Sequence, residues 1–401
     1  MGGSAGVVLT SCLLFLTLLV GCGREASDPA PLLSPLPLTA TPIEQGEAAR
    51  PILYTGVERG EIVSIVVTKA VYPSGRQVGS VVRTTGATWS PDGTQIAFVA
   101  PTGQSMGVAN LQGEERTLIN SPGLWRPYYA WPAWSPDGSK IALIEVGWCN
   151  EGNRISDLVV IDVATGVATS RYGPHDFWMA DGTQDGPGRF SMPEALRWSP
   201  DGSKFLISWD NTVVLDFDTG KVERISDERV VAEWAPGSDA IYFFEAERGR
   251  GGRAISSFNI KTLGSESATV LADKQRLETL GMVGEPGLIP ALLARSPSGS
   301  TMAMATGQST GGTGRLQVYG LDGGGSLALD APSDSFQVEG RIIAMDWSPE
   351  ENSIAALVVD EDDSTTLQVL DLVSGTWKTV ATPVVDVDVV DSIPTVLSWG
   401  R

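Results

Sequence analysis

The chain has 401 residues and carries 28 Lys and Arg against 48 Asp and Glu, a net charge of −20. That balance leaves no basic footprint for nucleic acid or an anionic membrane surface, so neither is an expected electrostatic partner. One histidine, His175, and three cysteines, Cys12, Cys22 and Cys149, exclude a multi-histidine zinc site, HExxH chemistry and a disulfide framework. With 46 Gly and 25 Pro, the composition suits short strands joined by tight turns better than helices.

Residues 1–21 read as a signal peptide. The apolar run Val7–Val20 is shorter than the about 20 residues a membrane span needs. Its end, Leu19-Val20-Gly21-Cys22, resembles the bacterial lipobox, which implies that Cys22 is acylated and becomes the first residue of an exported lipoprotein. The start departs from the usual pattern in having no Lys or Arg. An ordinary cleaved signal or a short uncleaved anchor is the alternative, and export holds under either. Residues 22–50 contain Pro29, Pro31, Pro35, Pro37 and Pro42 and read as an extended tether that holds a folded domain off a membrane.

From residue 51 to residue 401 one phrase recurs. It stands as Trp89-Ser90-Pro91-Asp92-Gly93, Trp134-Ser135-Pro136-Asp137-Gly138 and Trp198-Ser199-Pro200-Asp201-Gly202. Looser copies begin at Trp234, Arg295 and Trp347, and Leu397-Ser398-Trp399 closes the chain. Each copy reads as the end of a strand A followed by a tight turn: Pro presets φ, Asp bonds local backbone, and Gly tolerates the exit geometry. An apolar strand B follows, then a strand C, a Thr-Gly or Ser-Gly turn, and a more polar strand D. Leu158–Asp162 with Val167–Ser170, Val213–Asp216 with Val222–Ile225, and Leu367–Asp371 with Trp377–Val380 are the clearest C–D pairs.

A four-stranded propeller blade takes about 40–45 residues, so the longer intervals between anchors hold insertions. Before Trp89, Ile52–Tyr54, Ile62–Val67 and Val78–Val82 supply strands B, C and D without an A; Pro394–Trp399 supplies an A alone. Joined, they make seven blades and close the ring, which removes an open edge. The fold expected is an all-β, seven-bladed propeller of four-stranded antiparallel blades. The phrase resembles the WD40-like repeat of the TolB-type β-propeller family. TolB carries an α/β domain ahead of its propeller, and the stretch between Cys22 and the first strand is too short for one.

Chemistry is harder to place. Gly103-Gln104-Ser105-Met106-Gly107 and Gly307-Gln308-Ser309-Thr310-Gly311 match the hydrolase elbow, but both fall between strands B and C and read as hairpins. Asp360–Asp363 and Asp386, Asp388 and Asp391 read as solvated loops, with calcium binding as the alternative. Arg248, Arg250 and Arg253 read as an exposed, flexible B–C loop, with an anion contact as the alternative.

The long connections (120–130, 147–156, 172–193, 246–252, 272–290, 331–340 and 382–394) are assigned to B–C loops and D–A crossovers, which open on one face. On that face Trp125, Tyr128, Tyr129, Trp148, His175, Phe177 and Trp178 make an aromatic sector in and around the third blade. Either it is a binding platform or it packs the 172–193 insertion onto the ring. Trp131, near strand A, is assigned to structure.

The functional expectation is a monomeric, non-enzymatic binding or scaffold module of the cell envelope, facing periplasm or extracellular space. It would bind a protein, peptide or glycan on the loop-rich face and contact the membrane through lipidated Cys22, with no catalytic residue, no metal and no cofactor. The alternatives are a propeller hydrolase or lyase with its site at the central channel, and a purely structural envelope component.

Overall fold

The computed structural model describes residues 50–59, 64–82, 86–100, 103–110, 114–120, 128–148, 154–172, 195–208, 211–228, 230–249, 252–282, 292–306, 313–321, 327, 329, 332–362, 364–382 and 397–399. Seven four-stranded antiparallel sheets follow one another around a ring. Blade 1 holds β1 (Ile52–Arg59), β2 (Ser64–Val71) and β3 (Gln77–Val82). Blade 2 is β4 (Ala87–Trp89), β5 (Gln95–Val99), β6 (Ser105–Asn110) and β7 (Glu115–Asn120). Blade 3 is β8 (Tyr128–Trp134), β9 (Lys140–Trp148), β10 (Arg154–Asp162) and β11 (Ala168–Tyr172). Blade 4 is β12 (Ala195–Trp198), β13 (Lys204–Ser208), β14 (Thr212–Asp216) and β15 (Val222–Ser226).

Blade 5 is β16 (Ala232–Trp234), β17 (Ala240–Gly249), β18 (Gly252–Thr262) and β19 (Thr269–Asp273), followed by a short helix α1 (Lys274–Thr279). Blade 6 is β20 (Leu292–Arg295), β21 (Thr301–Thr306), β22 (Thr313–Gly320) and β23 (Asp334–Glu339). Blade 7 is β24 (Arg341–Trp347), β25 (Ser353–Val359), β26 (Thr365–Asp371) and β27 (Thr376–Ala381). The last strand, β28 (Leu397–Trp399), returns to blade 1 and pairs antiparallel with β1, Trp399 opposite Ile52. The expected ring closure is therefore observed. Lys378 Nζ strengthens the seam by donating to the carbonyls of Pro73 at 3.3 Å and Ser74 at 2.7 Å.

The core lies between blades rather than inside them. Ile52, Tyr54, Val71 and Trp399 of blade 1 pack on Ala355, Leu357, Leu367 and Val369 of blade 7. Ala142, Ile144, Leu158 and Val160 of blade 3 meet Trp198, Phe205, Ile207, Val213 and Leu215 of blade 4. Strand residues alternate between the two faces of a blade, so each sheet needs apolar residues at nearly every central position. That explains the unbroken buried runs Ile354–Val359 and Met302–Ala305.

Several sequence assignments change. The Arg248/Arg253 segment is no loose loop: β17 and β18 extend to Gly249 and Gly252, with Arg248 in register opposite Arg253. Residues 334–339 are a D strand paired with β22, not part of a crossover. The 272–290 stretch opens with α1, where the Asp273 carboxylate accepts the Arg276 N–H at 2.8 Å as an N-cap and Leu277 is buried. A helix of six residues, under two turns, escapes period-based reading because it is too short to show a repeat. Gly103–Gly107 is a hairpin entering β6, as expected; Gly307–Gly311 lies outside the described residues.

Candidate functional site

The recurring phrase does its work at the axis, through three sets of bonds. Within the turn, Ser135 Oγ donates to Asp137 Oδ1 at 2.6 Å and accepts the Lys140 N–H at 2.9 Å. The Ser139 N–H closes on Asp137 Oδ1 at 3.1 Å. Ser90/Asp92/Thr94 and Ser199/Asp201/Ser203 repeat the arrangement. The Ser135 hydroxyl, then Ser139, holds the Asp137 carboxyl below the usual carboxylate range, and Ser90 does the same for Asp92. At Asp201 burial opposes the shift, but bonds from Ser199 and Ser203 outweigh it and the net direction is again down.

Between blades, four anchor indoles donate their N–H to a carbonyl of the preceding blade. Trp134 Nε1 donates to Thr88 O at 3.2 Å, Trp198 to Ala133 O at 2.9 Å, Trp234 to Arg197 O at 3.1 Å and Trp347 to Ala294 O at 2.9 Å. Each of these four acceptors is the residue just before that blade's own anchor, whereas Trp89 Nε1 donates to Pro51 O at 3.1 Å. The rings themselves are buried or half-buried, Trp234 completely. The tryptophan is thus an interblade wedge with a built-in hydrogen bond.

The third set shows in the turn's fifth residue, which needs positive φ. Gly138 and Gly202 take φ of 72° and 73°, and a Cβ there would lie 3.7 and 3.5 Å from Cδ of Pro91 and Pro136 in the preceding blade. Ser238 and Glu351 occupy the same place at φ 60° and 58°. Each compensates with an interblade acceptor: Ser238 Oγ takes the Asp201 N–H at 3.0 Å, and Glu351 takes the Ser298 N–H and, at 2.8 Å, its hydroxyl.

These strand ends enclose an axial cavity of about 700 Å³, within the size range of small-molecule sites. Its lining includes the residue before the anchor in all seven blades: Ser398, Thr88, Ala133, Arg197, Glu233, Ala294 and Asp346, in ring order. Pro91, Pro136, Pro200, Pro236 and Pro297 of the A–B turns form a collar. The cavity therefore sits toward the short-turn side of the ring.

Charge in this ring is unequally placed. Arg197 Nε lies 3.1 Å from Glu233 Oε2, with the Arg side chain 45% exposed and the Glu only 9%. Glu233 Oε1 accepts the Trp234 N–H at 2.9 Å. Asp346 Oδ1 takes the Trp347 N–H at 2.9 Å and its Oδ2 takes the Trp399 N–H at 2.8 Å. Strand A is the inner edge of every blade, so its inward N–H groups have no strand partner, and these carboxylates supply one. Arg197 and Asp346 belong to blades 4 and 7, three steps apart in the ring of seven, and both line the cavity.

The aromatic sector fares differently. Trp125, His175, Phe177 and Trp178 lie outside the described residues; Tyr128 begins β8 and Trp148 ends β9, opposite Arg154. Tyr129 is 2% exposed and packs with Leu143 and Val159, so its ring belongs to the core rather than to an exposed platform. Arg197, Glu233 and Asp346 were missed by sequence reasoning. Their signal was present: they are the charged members of a repeat position occupied elsewhere by Ala, Ser or Thr. Among the described residues no group of three or more His, Cys, Asp or Glu is arranged to hold a metal, and no helix is long and apolar enough to cross a membrane.

No protein-family model and no curated protein sequence matches the chain. Solved structures do. The periplasmic gluconolactonase of Pseudomonas aeruginosa aligns over 88% of this chain and 99% of its own at 12% identity, with a TM-score of 0.53. A candidate 6-phosphogluconolactonase from Bacteroides uniformis aligns over 87% and 99% at 13% identity, TM-score 0.50. TolB from Acinetobacter baumannii aligns over 86% and 82% at 13% identity, TM-score 0.41. At these identities the likeness is one of fold, so the resemblance to the TolB type stands at the level of the propeller and not of a family. The expectation of a non-enzymatic module is corrected: propellers of this fold include enzymes by name, so scarce histidine gave no ground for excluding catalysis.

Proposed function

We propose that this chain is an exported, lipid-anchored β-propeller of the bacterial cell envelope that takes a small polar ligand in its axial cavity. The observation that carries the ligand site is the inner ring. A volume of about 700 Å³ is lined by half-exposed Arg197 and the carboxylates of Glu233 and Asp346, set at a single position of otherwise repeating strands, with Arg295 of the sixth anchor beside them. Repeats that differ at one shared position mark where a symmetric scaffold is used asymmetrically. The apolar run Val7–Val20 and Leu19-Val20-Gly21-Cys22 support export and acylation, with residues 22–50 as the spacer.

A thermal-shift screen of small polar compounds tests the site. Compounds that stabilise the wild type should lose their effect in Asp346→Asn. Hits that stabilise Asp346→Asn as strongly as the wild type would place the ligand elsewhere, and a protein, peptide or glycan partner on the aromatic sector would then be sought with Trp148→Ala and Trp178→Ala. Radiolabelled palmitate should enter the wild type and not Cys22→Ser; equal labelling sinks the anchor.

A catalytic form of this reading rests on Glu233 and Asp346, two carboxylates in one cavity, which is a pairing able to move protons. Hydrolysis of gluconolactone, the chemistry in the name of the Pseudomonas neighbour, is the first reaction to assay. Turnover lost in Glu233→Gln supports it; wild-type turnover no faster than buffer refutes it for that substrate class.

A further inference from the structure

Resting on the axial-cavity reading, we infer that Arg197 is a clamped guanidinium fork that binds the carboxylate of a small monoanionic acid. The argument starts from what holds the side chain. Its Nε faces Glu233 Oε2 at 3.1 Å, and Glu233 is fixed in turn because its other oxygen takes the Trp234 N–H at 2.9 Å. The Trp234 indole closes the loop on the Arg197 carbonyl at 3.1 Å. One face of the guanidinium is thus held by two adjacent blades.

The other end is open. Glu233 accounts for Nε, no described residue hydrogen-bonds Nη1 or Nη2, and the side chain is 45% exposed within the cavity lining. An arginine that merely neutralised Glu233 would need no such exposure; a fork pinned at Nε and free at both Nη groups matches the two oxygens of a carboxylate. Beside it in the ring stands Ala133, the smallest lining side chain on that flank, which leaves room for the ligand's acid group.

The same surroundings set the ligand's charge. Arg197 and Arg295 balance Glu233 and Asp346 in the lining, while Asp92, Asp137 and Asp201, just outside it, follow three of the collar prolines and are held ionised by their turn hydroxyls, which leaves the surroundings net negative. A phosphate dianion would meet this negative field at full strength, whereas a monocarboxylate meets half of it and is offset by the fork. Asp346, in blade 7, already accepts the Trp347 and Trp399 N–H groups at separate oxygens, and the second lone pair of a carboxylate oxygen suits a hydroxyl or ammonium at the ligand's far end, so a hydroxy acid or amino acid fits best.

Isothermal titration of the full chain in detergent tests this with sodium acetate, lactate, gluconate and glycine, against glucose, glycerol, ethylammonium and inorganic phosphate. The expected result is binding of at least one hydroxy or amino acid, weakened tenfold or more in both Arg197→Lys and Arg197→Gln, with melting temperatures close to wild type. Arg197→Lys is the deciding variant, because it keeps the charge beside Glu233 and removes the fork. Equal affinity in wild type and Arg197→Lys overturns the inference. Binding of neutral, cationic or phosphate probes without any carboxylate overturns it while leaving the axial site standing. Silence from all eight probes in wild type counts against the axial site itself, and this inference falls with it.

Discussion

Replacing Trp234 by Phe isolates the interblade hydrogen bond from most of the wedge's packing. Trp234 is fully buried among Leu206, Val214, Val230, Ile241 and Phe243, and its indole reaches Arg197 O at 3.1 Å. Losing that bond costs about 1 kcal/mol. The smaller ring leaves about 40 Å³ unfilled, which at about 24 cal/mol per Å³ adds about 1 kcal/mol. With an unfolding entropy of about 2.1 cal/mol/K per residue over roughly 350 propeller residues, a loss of about 2 kcal/mol lowers the melting temperature by about 3 °C. Trp377→Phe is the control: that indole nitrogen is buried yet bonds to no described residue, so its replacement should cost about half as much. Both are read by far-UV circular dichroism on heating. A Trp234→Phe melt within about 1 °C of wild type, or an equal drop in Trp377→Phe, would refute the bonded-wedge account.

Three further outcomes follow from the same geometry. Deleting residues 397–401 removes β28, leaves β1 unpaired on its inner edge and empties the site of Trp399, whose burial alone is worth about 3–5 kcal/mol; a melt lowered by less than about 4 °C would deny the ring closure. Asp92, Asp137, Asp162, Asp201, Asp216 and Asp371 are all held below the ordinary carboxylate value, so their contribution is full above about pH 4 and is lost as pH falls through their lower folded values. The melting temperature should therefore fall on acidification below that point; the chain is net positive below its isoelectric point of about 4.4, so growing repulsion acts in the same sense, and a melt that rises would refute the account. Ser238→Ala keeps φ at 60° and loses the acceptor for Asp201 N–H, costing about 1 kcal/mol, whereas Glu351→Gly relieves about 1 kcal/mol of left-handed strain and gives up only exposed bonds. Chemical denaturation should rank Glu351→Gly at or above wild type and Ser238→Ala below it.

The repeat told most of the architecture because a blade is specified locally. Ser-Pro-Asp-Gly makes its turn from its own hydroxyl, carboxylate and left-handed glycine, so finding the phrase locates the end of strand A and the start of strand B. Departures came where a segment gave no local cue. Residues 334–339 bury little and alternate poorly, and only pairing with β22 makes them a strand. The Arg248–Arg253 hairpin looked like a loop because its residues are glycine and arginine; the long β17–β18 ladder carries them in register.

What the sequence by itself determined was a seven-membered ring closed by its last strand, since a unit that cannot bury its faces alone must stack until no edge is left. What only the tertiary structure decided was which residues meet at the centre. Arg197, Glu233 and Asp346 stand far apart in the chain, and although each directly precedes an anchor tryptophan, the repeat alone does not say that this position turns inward or which charges meet there. Ring closure carries the position before each anchor to one axis, where adjacent blades pair Arg197 with Glu233 and blade 7 brings Asp346 into the same lining. Local chemistry fixes a turn; convergence of distant residues needs the whole ring.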